Sequence, residues 1–236
     1  MVAEAGLLAH GRGEAFDYLL GEKTSANALK AIRAAAALLL TANHPVISIN
    51  GNAAALAAKD IVVLVKEINA KIEVNLFHRS LKRESAIAQL LHEAGAEEVL
   101  GVGKAASAKI SEVASERRRV DPNGILIADV VLVPLEDGDR TEALVKMGKS
   151  VIAIDLNPLS RTAQFATITI VDNMVRAMPQ LRKIAKELRS QDKESLRKLA
   201  SSFDNKKNLS EAITMINKRL AALAAKGTFL TILEES

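Results

Sequence analysis

Short runs rich in β-branched residues recur along the chain with helix-forming stretches between them, and this alternation narrows the fold more than any other feature. The runs are Pro45–Ile49, Ile72–Leu76, Glu98–Leu100, Asp129–Val133, Val151–Ile154 and Thr167–Ile170. Between them, Ile61–Asn69, Ser80–Ala94 and Thr141–Met147 carry apolar residues at helical spacing. Strand, helix and strand repeated in this way predict an α/β, Rossmann-like fold, a mostly parallel sheet with helices on both faces. Gly51, Gly95, Gly101 and Gly148 fall near the element boundaries, where the backbone needs unusual angles.

The flanks read as helical. Ser25–Thr41 is rich in alanine, with Thr24 or Ser25 available as its N-cap. Asn173–Arg189 predicts a long helix, "SQDKES" a polar break, and Glu194–Phe203 and Leu209–Lys226 two more helices. "TFLTIL" reads as a final strand. Residues 1–190 are therefore expected to form the core, and 191–236 a helical C-terminal appendage packing on that core or on a dimer partner.

Composition excludes several function classes. The chain has no Cys, so disulfides, Cys-ligated zinc and thiol catalysis are out. With no Trp, one Tyr and five Phe it lacks stacking platforms for single-stranded nucleic acid. The formal charge of +4 hides an asymmetry: between Leu181 and Lys226, twelve Lys and Arg face five Asp and Glu, leaving the remainder net acidic. That basic excess reads as a solvated helical face rather than a nucleic-acid surface. Apolar stretches such as Ala34–Leu40 fall far short of the ~20 residues of a membrane span. No signal peptide is visible, and the expectation is a cytoplasmic protein with no membrane or nucleic-acid partner.

In open parallel sheets, ligands bind beyond the carboxyl ends of the strands. The loops there are "NGN" (Asn50–Asn52), "FHRS" with Arg79, "EDGDRT" (Glu136–Thr141) and "DLNPLSRT" after Ile154. Asn50 and Asn52 offer amides at a helix start, an anion site or a simple β-to-α turn. Glu136, Asp137 and Asp139 crowd one turn beside Arg140. Capping by Asp139 explains one acid, and a Mg²⁺ site or capture of a substrate ammonium would explain the others. Asp155 can accept from a ribose hydroxyl or an adenine amine, Asn157 can donate and accept, and Arg161 and Thr162 can hold phosphates. Asn173 and Met174 open a helix pointing at the same crevice. "HGRGE" (His10–Glu14) flanks Arg12 with glycines, as in an anion site or a tight turn before a helix. Arg117–Arg119 form the densest cation run, a solvated loop or a neighbour of an anionic substrate.

Taken together, "AHGRGEAFDYLLGE", "PVISINGN", "KIEVNLFHR", "RRRVDP", "ADVVLVPLEDGDRTEALVKMGK", "VIAIDLNPLSRTA" and "ATITIVDN" resemble the archaeal phosphopantothenate synthetases, or 4-phosphopantoate–β-alanine ligases. The similarity runs from about Gly6 to Leu188. It implies a homodimeric enzyme of coenzyme A biosynthesis that joins 4-phosphopantoate to β-alanine with ATP and Mg²⁺, releasing AMP and diphosphate. Carried onto this sequence, the nucleotide contacts would be Arg12, Asp155, Leu156, Asn157, Arg161, Thr162, Asn173 and Met174. Family members carry a further segment ahead of the "HGRGEAFDYL" motif, with an Arg expected near the nucleotide, for which the residues before His10 offer no counterpart.

The reaction so implied has two steps, with Arg12 and Arg161 expected to neutralise the phosphates. Asp137, Asp139 and His10 are candidates to take the amine proton, and Asn50, Asn52, Arg79 and Arg140 to bind the substrate acid. The competing readings are a small-acid kinase releasing ADP, a non-catalytic nucleotide sensor, and a dinucleotide oxidoreductase. The last lacks GxGxxG after the first strand.

Overall fold

A computed structural model describes residues 1–113 and 115–227; the predicted strand "TFLTIL" lies outside them. The chain opens with α1 (Glu4–Leu20) and α2 (Ala26–Thr41), then β1 (Pro45–Ile49), α3 (Gly51–Ile68), β2 (Lys71–Val74) and α4 (Leu81–Glu93). A two-stranded excursion, β3 (Ala108–Lys109) against β4 (Arg119–Val120), precedes β5 (Val130–Pro134). The remainder is α5 (Gly138–Lys146), β6 (Ser150–Ile154), α6 (Arg161–Phe165), β7 (Ile168–Ile170), α7 (Met174–Leu188), α8 (Lys193–Ser201) and α9 (Asn205–Lys226). No helix among the described residues is long and apolar enough to cross a membrane.

Five strands pair in the order β2-β1-β5-β6-β7, every pair parallel. Strand side chains alternate between faces, and both faces are buried. Ile47, Ile49, Leu132, Ile152 and Ile154 join one apolar cluster with α2, α3 and α7. Val46, Val131, Val133, Val151 and Ala153 join another with Leu144 of α5 and with Ile110, Val120 and Ile125 of the excursion. Two-sided burial is why the strands read as continuous apolar runs.

Three sequence expectations change. "HGRGE" is neither a turn nor a loop, but lies inside α1. Each helical glycine costs about 1 kcal/mol relative to Ala; contact accounts for Gly6, where a Cβ would stand 2.9 Å from Asn52 Oδ1, but not for Gly11, with nothing within 4 Å, or for Gly13, whose Cβ would only touch Leu156 at 3.7 Å. Glu98–Leu100 is not a strand. Only Leu100 bridges to Glu73, because Gly101, at φ +76°, turns the chain away at a point where a Cβ would meet the Val74 carbonyl at 2.6 Å. The helix expected from Ile61 begins at Gly51, capped by Asn50; its alanine-rich first half shows no periodic apolar stripe to read. The C-terminal helices pack on the rest of this same chain, α8 against α2 and α9 against α1.

Glu73 anchors the excursion. Its fully buried carboxylate accepts from the Asp121 N–H at 3.0 Å and the Ile125 N–H at 2.6 Å. Burial pushes its pKa up to about 7, against the pull of those N–H groups and Arg140. The folded protein therefore holds a proton that the unfolded chain releases above its ordinary value of 4.5. That contribution to stability is complete below pH 4.5 and is lost as pH rises to about 7, by at most about 3 kcal/mol. Urea melts at several pH values should show this fall in the wild type and a flattened profile in Glu73→Gln.

Candidate active site

The strand order reverses direction between β1 and β5: the chain runs outward from β1 to β2, then returns to the other side of β1 as β5. Such a switch point leaves a crevice at the carboxyl ends of the strands. Here it is held open by Asn50, whose Nδ2 donates to the carbonyls of Pro134 and Leu135 at 3.0 Å each. The Asn50 Oδ1 caps the Ala53 N–H at 2.9 Å, so this one side chain fixes the spacing of both strand ends. Leu135 takes a left-handed φ of +54°, uncommon for a residue with a Cβ and a mark of local strain.

α1 crosses this crevice and divides it into two adjoining lobes. Ala9, Arg12, Gly13 and Phe16, at i, i+3, i+4 and i+7, present one face of the helix to the first lobe. The helix is tied down at both ends. Asn52 Nδ2 donates to the Gly6 carbonyl at 2.9 Å, while Asp17 accepts from Arg176 at 2.5 Å and from Asn173 Nδ2 at 2.8 Å. Leu20 packs with Leu209, Ala212 and Ile216 of α9.

The first lobe, about 370 Å³, gathers His10, Arg12, Asp155, Leu156, Asn157, Asn173 and Met174, with Phe16, Asn52 and Ser160. The Asp155 carboxylate accepts from the Asn157 N–H at 2.9 Å and from the Ser160 hydroxyl. Burial raises its pKa against those two donors. Two of a carboxylate's roughly four acceptor sites remain for a ligand. Asn173 caps α7 through the Val175 N–H at 3.0 Å. The second lobe, about 400 Å³, is lined by Arg12, Asn50, Asn52, His78, Arg83, Arg117 and Asp137 among others. Arg12, Asn52, Leu135 and Glu136 belong to both lobes.

The floor between the lobes is an ion network. Glu136, with 1% side-chain exposure, pairs with Arg117 and with Arg140. Burial alone would raise its pKa; the two guanidiniums outweigh that and hold it below the ordinary carboxylate range. Arg117 also reaches Asp137 at 2.9 Å. Asp137 caps α5 through the Arg140 N–H at 3.1 Å. Its pKa is raised by burial and by the Glu136 charge, with Arg117 opposing.

Several predicted residues stand elsewhere. Arg140 is fully buried beneath the floor, bound to Ser48 Oγ at 2.9 Å and to Glu136, and does not reach the cleft. Arg79 is spent on Glu84 and on the carbonyls of Arg119, at 2.9 Å, and Gly101, fastening the excursion. The cap of α5 is Asp137 rather than Asp139. Asp139 is 77% exposed, paired at 2.6 Å with Arg161, which also holds Glu142 at 2.9 Å. The Thr162 hydroxyl donates to the Glu136 carbonyl at 2.9 Å. No cluster of three or more His, Asp or Glu that could hold a metal lies among the described residues. Arg117 is neither in a solvated loop nor free for a substrate, and Phe16, Ser160, His78 and Arg83 join the cleft without having been singled out. Phe16 follows Arg12 at helical spacing, a signal visible once residues 4–20 are read as a helix.

Removing one partner of a buried pair leaves the other uncompensated, at about 3–5 kcal/mol, whereas an exposed pair contributes under about 1 kcal/mol. Arg140→Met should therefore lower stability by about 3–5 kcal/mol in denaturant melts, and Asp139→Asn by less than about 1 kcal/mol.

Comparison with known proteins agrees with the motifs. Residues 27–219 match the family described as phosphopantothenate/pantothenate synthetase. The 4-phosphopantoate–β-alanine ligase of Thermococcus kodakarensis is 54% identical over 96% of this chain and 87% of its own length. The protein of that name from Methanosarcina mazei is 55% identical over 94% of this chain and 86% of its own. The Thermococcus onnurineus protein of that name is 52% identical over 96% of this chain and 87% of its own. With an identity near one half over nearly all of its length, and an intact cleft at the switch point, this chain belongs to the phosphopantothenate/pantothenate synthetase family and is a ligase that forms a C–N bond.

Proposed function

We propose that this protein joins 4-phosphopantoate to β-alanine at the expense of ATP, giving 4′-phosphopantothenate, AMP and diphosphate, for coenzyme A synthesis in the cytoplasm. The observation that carries this reading is the two-lobed cleft: two adjoining chambers meet at one exposed cation, Arg12, as a reaction between a nucleotide and a separate acid requires.

In this reading ATP occupies the first lobe. Asp155 and Asn157 accept from and donate to the nucleoside, and Leu156, Met174 and Phe16 form apolar walls. Arg12 faces the phosphates, where a positioned cation lowers the barrier to phosphorus transfer. The acid's carboxylate oxygen attacks the α-phosphorus, forming a P–O bond as the bond to diphosphate breaks. The β-alanine nitrogen then attacks the acyl carbon, the C–N bond forms, and the C–O bond to AMP breaks. Asp137 lines the second lobe with a raised pKa suited to accepting the amine proton, and His10 lines the first. Asp139, outside both lobes, is less well placed. Arg161 would reach the nucleotide only if its exposed pairs with Asp139 and Glu142 opened, whereas Thr162 is buried with its hydroxyl on the Glu136 carbonyl. Mg²⁺ would be held mainly by nucleotide phosphates and water, its usual arrangement. A homodimer is part of the proposal, and Leu7 and Leu8, 63% and 70% exposed on α1, are apolar surface such a partner could cover.

The test is turnover. Protein mixed with ATP, Mg²⁺, 4-phosphopantoate and β-alanine should yield AMP only when both acids are present. ADP would reassign the protein as a kinase, and ATP binding without turnover would leave a sensor. Arg12→Ala, at an exposed position, should lower kcat/KM for ATP by about 10²–10³-fold with an unchanged melting temperature.

A further inference from the structure

The two arginines expected from sequence to hold a substrate phosphate, Arg79 and Arg140, are both consumed by the fold. Arg117 is consumed by Glu136 and Asp137. Besides Arg12, which the two lobes share, the second lobe keeps one further cation with no carboxylate partner among the described residues: Arg83, in the first turn of α4. We propose that Arg83 binds the phosphate of the substrate acid and is the residue that selects a phosphorylated over an unphosphorylated acid. This rests on the reading above that an acid substrate occupies the second lobe.

Three observations converge on Arg83. Its guanidinium is aimed by neutral groups only: Nε donates to the Met1 carbonyl at 3.0 Å and Nη1 to the His78 carbonyl. The cation is thus oriented without being neutralised. Its Nη2 lies against the start of α3, 3.3 Å from the point where a Cβ on Gly51 would stand. Glycine there makes room for the Met1 carbonyl, 2.6 Å from the same point, that aims the guanidinium, and so sets Arg83 beside the first turn of an 18-residue helix, an end that favours anions. The surrounding charge is also positive. Arg12 and Arg83 line the lobe unmatched among the described residues, while Glu136 and Asp137 are matched by Arg117 and Arg140. Burial, and then the neighbouring Arg117, make the Arg83 charge less favourable than that of a free arginine, a penalty that a phosphate dianion relieves. With the phosphate at Arg83, the acid's other end lies toward Arg12 and the first lobe, where adenylation is proposed.

The experiment is calorimetric titration of 4-phosphopantoate and of pantoate into the wild type and Arg83→Gln, without ATP, alongside melting curves. The wild type should bind the phosphorylated acid more tightly. Arg83→Gln should lose about 10–100-fold of that affinity, the range for a hydrogen-bonded charge, and far less for pantoate, so that the preference collapses. A structural role for Arg83 would weaken both ligands together. An unchanged preference in Arg83→Gln, equal weakening of both acids, or no wild-type preference overturns the proposal. The AMP assay is separate: Arg83-dependent preference without AMP would sink the ligase reading and leave this assignment standing, and AMP production with the preference intact in Arg83→Gln would do the reverse.

Discussion

A buried carboxylate between two guanidiniums sets the geometry of the whole cleft. Glu136 stands two residues past the end of β5 and pairs with Arg117 of the excursion and Arg140 of α5, with Arg140 in turn held by Ser48 of β1. One charged group thereby ties together the two strands that flank the switch point, the helix that follows, and the loop that closes the second lobe. Such a network adds little net stability over an apolar core and fails badly if one member is lost. What it supplies is fixed positions. Asp137, one residue on, is left facing the lobe with its pKa raised by burial and by Glu136.

The remaining walls are built by small residues and amides rather than charges. Asn50 spans both strand ends, and Asn52 holds α1 through a backbone carbonyl at a place where only glycine allows the helices so close. The far end of α1 is fixed by Asp17 to Arg176 and Asn173, and its apolar face is backed by α9. The C-terminal helices therefore bear on the site indirectly. They support the helix that carries Arg12, and their basic surface need not touch a ligand at all.

Much of this was legible in the sequence. Two-sided burial made β1, β5 and β6 readable as apolar runs, and the polar density after Ile154 marked the Asp155–Asn157 wall. What stayed hidden depends on pairing across long separations. Nothing local to Arg117 or Arg140 says that Glu136 and Ser48 will absorb them, and nothing near Arg83 says that no carboxylate will; Glu84, five residues past Arg79, was in view. β3 and β4, two residues each, are too short to show a period. The glycines of α1 argued for a turn because helix propensity is a weak prior that tertiary packing overrides.

The central claim is that a nucleotide binds under α1 at the switch point. Amide hydrogen exchange with and without ATP tests it most directly. Added ATP should slow exchange in peptides covering residues 9–16, 155–162 and 173–176 together, since these three segments wall one lobe. Protection confined to residues 78–83 and 115–119, or confirmed ATP binding with no change in α1, would contradict it.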